Sequence, residues 1–367
     1  MGNTICHLGI VGTLTAVSVV MGCNVVGEYE DREDWSHEIR QADDQTEIEN
    51  APETLKVLTW NMKFAGGRID FWFDGYGERV IMTEAEACEN MESLIALVRE
   101  FDPDILLAQE IDNGSKRSAY RDMTDDLLQN TALNWSAWVP IWEADYILEQ
   151  GLGPMKMGMS VLSKHEITEN WRIALDPVSE QSALVQTFYL DRAIQRVTVD
   201  LGDGSMEVIN NHPEAYSTDG TKIRHIEAML AESVSVDGEF IVGGDFNAVP
   251  PGSLRLEGFG DEIEIDTKGV TAVDYVGEEE LLAPFYEAWN PAISLDEYQV
   301  ETEEEQETFH THSIDKDTFW TRKLDYLFAT GTWDSAWTVQ SPEDTPGGVL
   351  DPMQLSDHCP VFGTVRR

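Results

Sequence analysis

Nine polar residues stand where apolar runs of this chain end: Asn61, Glu110, Asn211, His212, Asp245, Asn247, Asp325, Asp357 and His358. One such residue has a plain explanation, since Asn and Asp serve turns and caps. Glu110 is harder to explain that way, because it closes the run "ILLAQ" and a carboxylate finishing a buried strand needs a partner or a metal. Taken together, the residue types form a set whose chemistry is coherent for cleaving a phosphate ester. Glu110 and Asp357 are hard oxygen ligands of the kind that suits Mg²⁺, with Mn²⁺ as the alternative. An ion held there polarises a phosphoryl oxygen and steadies the leaving group. A histidine beside a carboxylate activates water. Amide and second-histidine donors stabilise the charge growing on the phosphoryl oxygens. The densest stretch is "VGGDFNAVP", residues 242–250. Alternation along "DFN" sends Asp245 and Asn247 to one side and Phe246 to the other.

The residues fall in six stretches, "TWNM", "LLAQE", "INNHPEA", "GGDFNAVP", "RKLDYLF" and "LSDHCPV". From about residue 55 onward the chain resembles the endonuclease/exonuclease/phosphatase superfamily, the DNase I-like metal-dependent phosphohydrolases, whose motifs occur in this order. The resemblance implies roles residue by residue. Asn61 would lie beside metal and phosphate, with Glu110 as the main metal ligand. His212 would contact the scissile phosphate or protonate the leaving group. Asn211 would either support the phosphate pocket or simply end a strand. Asp245 would orient the attacking water and Asn247 would bind phosphate. Asp325 would hold His358, the water-activating base, with Asp357 at the metal. The implied fold is α/β, a four-layer sandwich of two packed mixed β-sheets flanked by helices. In some branches an acidic residue stands two places after the first-motif asparagine. Here it is Lys63, placed either to neutralise substrate phosphate or to face solvent, which favours one principal ion over two.

The elements that must position these residues read independently as strand-rich. Strands are expected at 55–62, 102–111, 157–164, 183–190, 193–201, 205–212, 239–247, 324–331 and 359–366, from their β-branched and apolar content. Helices are expected near 83–100, where Ala87, Met91, Leu94, Ile95 and Val98 recur at helical spacing, and over 219–235. Strands and helices do not alternate regularly, which argues against a doubly wound sheet and fits two packed sheets with helices outside. Residues 258–318 read as a charged surface excursion, and "FHTH" (His310, His312) within it as solvated loop. Trp72, Phe71, Phe73 and Tyr76 could line a substrate rim or anchor their loop. Arg196 and Arg322 are scarce cations, and Arg322 is placed either for substrate phosphate or for a surface salt bridge.

The chain has 367 residues, with 24 Lys+Arg against 69 Asp+Glu and a net charge of -45. Such a surface repels phosphodiester polymers and disfavours nucleic acid. It suits a protein hydrated at high salt, hence a salt-adapted bacterial source. Cys6, Cys23, Cys88 and Cys359 fit no zinc spacing, and Cys88 and Cys359 read as unpaired thiols. Residues 1–22 resemble a lipoprotein-type signal peptide, "VMGC" placing Cys23 as the lipidated first mature residue. Residues 23–53, acidic and without periodicity, read as a flexible tether, and 54–367 as the catalytic domain. These features predict a monomeric, envelope-anchored enzyme acting on a phosphate ester. A nuclease and a catalytically silent binding lipoprotein of the same fold are the alternatives.

Overall fold

The computed structural model describes residues 27–72, 77–147, 151–181, 186, 189–261 and 274–367. The signal-like segment with Cys23, and with it Phe73 and Tyr76, lies outside them. Strands in chain order are β1 (Arg32–Asp34), β2 (Arg40–Gln41), β3 (Thr54–Asn61), β4 (Ile105–Asp112), β5 (Trp135–Ile147), β6 (Gly153–Ser163), β7 (Glu166–Ala174), β8 (Ala193–Asp200), β9 (Ser205–Asn211), β10 (Phe240–Asp245), β11 (Asn290–Pro291), β12 (Asp325–Ala329), β13 (Thr332–Thr338) and β14 (Val361–Arg366). They form two seven-stranded sheets, ordered β13-β14-β3-β4-β6-β5-β2 and β1-β7-β8-β9-β10-β12-β11. Both are mixed, with β3–β4 and β9–β10 parallel among antiparallel neighbours.

The inner faces meet in a core that includes Leu107, Val161, Val208, Ile241, Leu327 and Val361. Helix α1 (Glu84–Phe101) starts at a Thr83/Glu86 capping box, and buries the residues whose spacing predicts it. With α2 (Met123–Asn130) it covers the outer face of the first sheet. Helix α3 (Thr221–Val234) covers the second through Ile226 and Met229. This is the four-layer sandwich expected.

Apolar packing alone does not hold the sheets in register. Gln109, Asn210, Gln195 and Asn170 are fully buried between them. Gln109 donates to Asn210 Oδ1 (2.7 Å), Asn210 to the Ala108 and Ser160 carbonyls (both 3.1 Å), and Gln195 to Asn170 Oδ1 (3.1 Å) and the Ala137 carbonyl (3.0 Å). Asn170 in turn donates to the carbonyls of Trp138 and Trp35.

Several expectations change. Residues 27–53 are not a tether along their whole length: β1 pairs with β7 and β2 with β5, adding an edge strand to each sheet. Trp35 packs against two core clusters. Their acidic composition hides short pairings that need only backbone groups. The strand expected at 183–190 falls largely outside the described residues, and Tyr189 and Leu190 at its end belong to no strand. Strands β5, β7 and β13 went unpredicted. Pro140 interrupts the β5 pattern but sits at a register shift between Pro140 and Trp142, where a strand tolerates proline. The excursion beyond residue 258 is partly internal, since Phe285, Ile293 and Tyr298 are buried and β11 joins the second sheet. Cys88 and Cys359 are unpaired.

A chain shortened to begin at Thr54 exposes two sheet edges and the Trp35 contacts. It should unfold at clearly lower denaturant, with a loss of at least ~2 kcal/mol in equilibrium unfolding.

Candidate active site

Glu110 reaches the site through a break in its strand. Between Ala108 and Ile111, β4 carries one residue more than β6 opposite, and Glu110 lies in this bulge at φ +54°. A bulge re-aims side chains, so Gln109 can join the inter-sheet amides while its neighbour Glu110 lines the catalytic cavity. Asn247 is likewise left-handed at φ +49°, an uncommon conformation that clusters at functional sites.

The "GGDFN" stretch behaves as its alternation predicts. Phe246 packs away from the site against Phe285 and Tyr326, while Asp245 and Asn247 line the cavity. A Cβ on Gly243 would sit 2.7 Å from the Tyr326 carbonyl oxygen, and one on Gly244 (φ +130°) 2.1 Å from that of Asn211. Only glycine lets β10 lie this close to its neighbours.

His358 joins two carboxylates. Its Nδ1 lies 2.8 Å from Asp325 Oδ2 and its Nε2 3.6 Å from Asp245 Oδ2. Burial alone lowers its pKa, but Asp325 and Asp245 outweigh burial and raise it to about 10. Burial raises Asp245 to about 7, the adjacent imidazolium only partly opposing it. The resting proton of this group therefore sits on His358. One ligand atom from each of Asp245, Asp325 and His358 lies within 4.8 Å of the others, a buried cluster able to hold a divalent ion.

A second acidic pair faces the same cavity. Glu110 is pushed up by burial and by the charge of Asp357. Burial also pushes Asp357 up, but the Lys63 ammonium 3.1 Å away reverses this and holds it below the usual carboxylate range. Lys63 is buried, at the head of three consecutive left-handed residues, Lys63, Phe64 and Ala65 (φ +42°, +44°, +57°). Of the two placements open to it, the one toward the site is found, on a carboxylate.

Some expected residues act one layer back. Asn61 gives its amide hydrogens to Glu110 Oε1 and Asp245 Oδ2, both at 3.2 Å, and accepts from the Lys63 N–H. It ties the two acidic groups together and, like Asp325, is outside the cavity lining. Asn211 is buried in β9, its amide 3.4 Å from the Gly243 carbonyl, and ends a strand rather than lining the pocket. Arg322 is corrected as a phosphate contact: it forms a buried ion pair with Asp261 (2.9 Å) and lies over Phe259, away from the cavity. Arg196 is occupied by Glu207 and Glu232.

Glu110, His212, Asp245, Asn247, Asp357 and His358 line one cavity of about 610 Å³. His212 Nε2 is 3.5 Å from Asp245 and 3.9 Å from Glu110. Burial, with Arg192 and His358 adding to it, depresses its pKa well below the ordinary value, so it rests neutral. Among the lining residues that sequence reasoning missed, His312 and Arg192 stand beside the catalytic groups. His312, expected as solvated loop, is buried edge-on to His358 at 4.5 Å between centroids, held by bridges to Arg322 and His358. Its period-two spacing from His310 was the available signal, and acidic neighbours masked it. Arg192 donates to the His212 carbonyl (3.2 Å), and its Nε lies 4.0 Å from Glu214 Oε2. Nothing local in "LDRAIQ" marks it; only the β8–β9 register brings it beside His212.

Two sheets closing on a cavity of carboxylates, amides and histidines define a metal-assisted phosphoester hydrolase. Residues 58–358 match the Endonuclease/Exonuclease/phosphatase family, and the chain belongs to it. Solved structures with the same fold include an endonuclease/exonuclease/phosphatase from Beutenbergia cavernae DSM 12333, 17% identical, covering 86% of this chain and 72% of that one with a TM-score of 0.53. Another is an endonuclease/exonuclease/phosphatase family protein from Leptotrichia buccalis, 15% identical, covering 85% of this chain and 100% of that one with a TM-score of 0.52. No curated protein matches the chain.

Two outcomes follow from the geometry. Arg322→Ala should cost about 3–5 kcal/mol of unfolding free energy by stranding buried Asp261, while leaving KM unchanged. His358, whose pKa is raised on folding, contributes stability that is complete below about pH 6.5 and lost as pH climbs toward 10. Its imidazole, followed by NMR, should titrate far above the ordinary range, and Asp325→Asn should move it downward.

Proposed function

We propose that the cavity hydrolyses a phosphate ester with one principal divalent ion, Mg²⁺ or Mn²⁺, between Glu110 and Asp357. The observation that carries this is that Glu110 and Asp357 line the same cavity, where burial first and the Asp357 charge second push Glu110 up, a pairing that a cation relieves. Both are hard oxygen donors, so the residues fit the ion. Once bound it would polarise a phosphoryl oxygen and stabilise the leaving oxygen. The Asp245–Asp325–His358 cluster is the competing ion site. Against it, both His358 nitrogens already face carboxylates, Nδ1 2.8 Å from Asp325 and Nε2 3.6 Å from Asp245.

In this reading the role expected for His358 shifts. An imidazolium cannot accept a proton from water, so Asp245 is the resting base that orients and deprotonates it. Asp325 holds the imidazolium, which stabilises charge on phosphate. Neutral His212 donates to a phosphoryl oxygen or to the leaving group, and Asn247 fixes the phosphate. Asn61 keeps Glu110 and Asp245 at their spacing. Anchoring through Cys23 at the envelope of a salt-adapted bacterium, as a monomer, is supported by sequence composition and the N-terminal pattern alone. The net charge of -45 weighs against nucleic acid.

Hydrolysis of a simple phosphodiester should stop with EDTA and return with Mg²⁺. Glu110→Gln should weaken Mg²⁺ binding by calorimetry at least tenfold, whereas Asp325→Asn should leave it within a few-fold and lower kcat instead. The reverse pattern would place the ion on the histidine cluster. His212→Ala should reduce kcat by roughly 10²–10⁴.

A further inference from the structure

We propose that the cavity selects phosphate esters carrying an apolar group, with the phosphate at the carboxylate–histidine wall and the hydrocarbon against the β5–β6 hairpin. The inference rests on the hydrolase reading above and names its substrate class. Beyond the register shift at Pro140, β5 and β6 continue as an arm in which Trp142 pairs with Met157 and Ile147 with Gly153. This arm carries an apolar cluster containing Ile147 and Leu152, against which Trp72 and Trp142 pack. All four line the same cavity as Glu110 and His358. Catalytic polar groups and a sizeable apolar wall thus share one space of about 610 Å³, the size of a small-molecule site.

The cations point the same way. Among the described residues, Lys63, Arg117 and Arg192 are the lysines and arginines that line the cavity. Lys63 pairs with Asp357, Arg117 makes a two-pronged pair with Asp112 (2.9 and 3.0 Å), and Arg192 donates to the His212 carbonyl. A polynucleotide needs a row of cations along successive phosphates. This lining suits one phosphate, with the rest of the ligand uncharged.

The test is calorimetric binding of methyl-, butyl- and octylphosphonate to the full chain with Mg²⁺. Affinity should rise about two- to fourfold per methylene over the first several carbons. The slope should flatten in Trp142→Ala and in Leu152→Asn, with methylphosphonate binding unchanged; the second variant covers a fold failure of the first. Equal affinity across the series, or no phosphonate binding, overturns the proposal. Metal-dependent turnover of methyl 4-nitrophenyl phosphate without chain-length dependence sinks this inference alone. Chain-length-dependent binding without any turnover sinks the hydrolase reading alone. An octyl phosphodiester dissolved as monomer and phosphatidylcholine vesicles then separate the sources. Cleavage of the monomer only supports a soluble ester, and cleavage of the vesicles supports a lipid headgroup. Preference for an oligonucleotide over both overturns the proposal.

Discussion

The buried amides between the two sheets are the constraint on which the site depends. Hydrocarbon packing is non-directional and tolerates small slides between layers. Amide groups do not, because each must meet its partner or lose its hydration uncompensated. Gln109 bonded to Asn210 fixes β4 against β9 at one point. Glu110 follows Gln109, and His212 lies two residues after Asn210. The separation of these two catalytic side chains, 3.9 Å between Nε2 and Oε1, is therefore set by the neighbouring amide pair. The bulge completes the arrangement, since in a regular strand Gln109 and Glu110 would face opposite sides.

Within that frame, the site works by sharing few protons and cations among many acids. Asp245, Asp325, Glu110 and Asp357 face a region with two neutral histidines, His212 and His312, and one charged one, His358. Lys63 neutralises one acid from inside the protein. Asn61 bridges Glu110 and Asp245 without bringing charge of its own. The arrangement keeps the acids close without requiring all of them to be ionised at once.

Much of this was legible in the sequence, for a physical reason. Motif residues stand at strand ends, where an apolar run stops at a polar residue, and a run with a stop is a local pattern. Asp245, Asn247 and the outward turn of Phe246 have the sidedness that alternation predicts, although β10 ends at Asp245 and a left-handed turn sets Asn247. Helix α1 follows from its period and cap. What could not be read depends on register between distant segments. Arg192 meets His212 only through the β8–β9 ladder, and the Asp261 partner that removes Arg322 from the site lies 61 residues away. Strands β1 and β2 carry no apolar signature, because they contribute backbone hydrogen bonds at sheet edges. His312 was hidden by the charge around it, although its burial depends on neighbours distant in the chain.

The long-range pairing of β3 with β14 has a kinetic side. Trp60 Nε1 donates to the His358 carbonyl across 298 positions of sequence, and Ser356 does the same to the Asn61 carbonyl across 295. Contacts of such separation are entropically expensive to nucleate and form late. A chain emerging N-terminus first must hold β3, with Asn61 at its tip, beside an empty neighbour position until β14 is delivered. Half-made protein that lacks this segment therefore has no catalytic centre, and hydrolytic competence becomes a report that Asp357 and His358 have been delivered and that β14 has paired with β3.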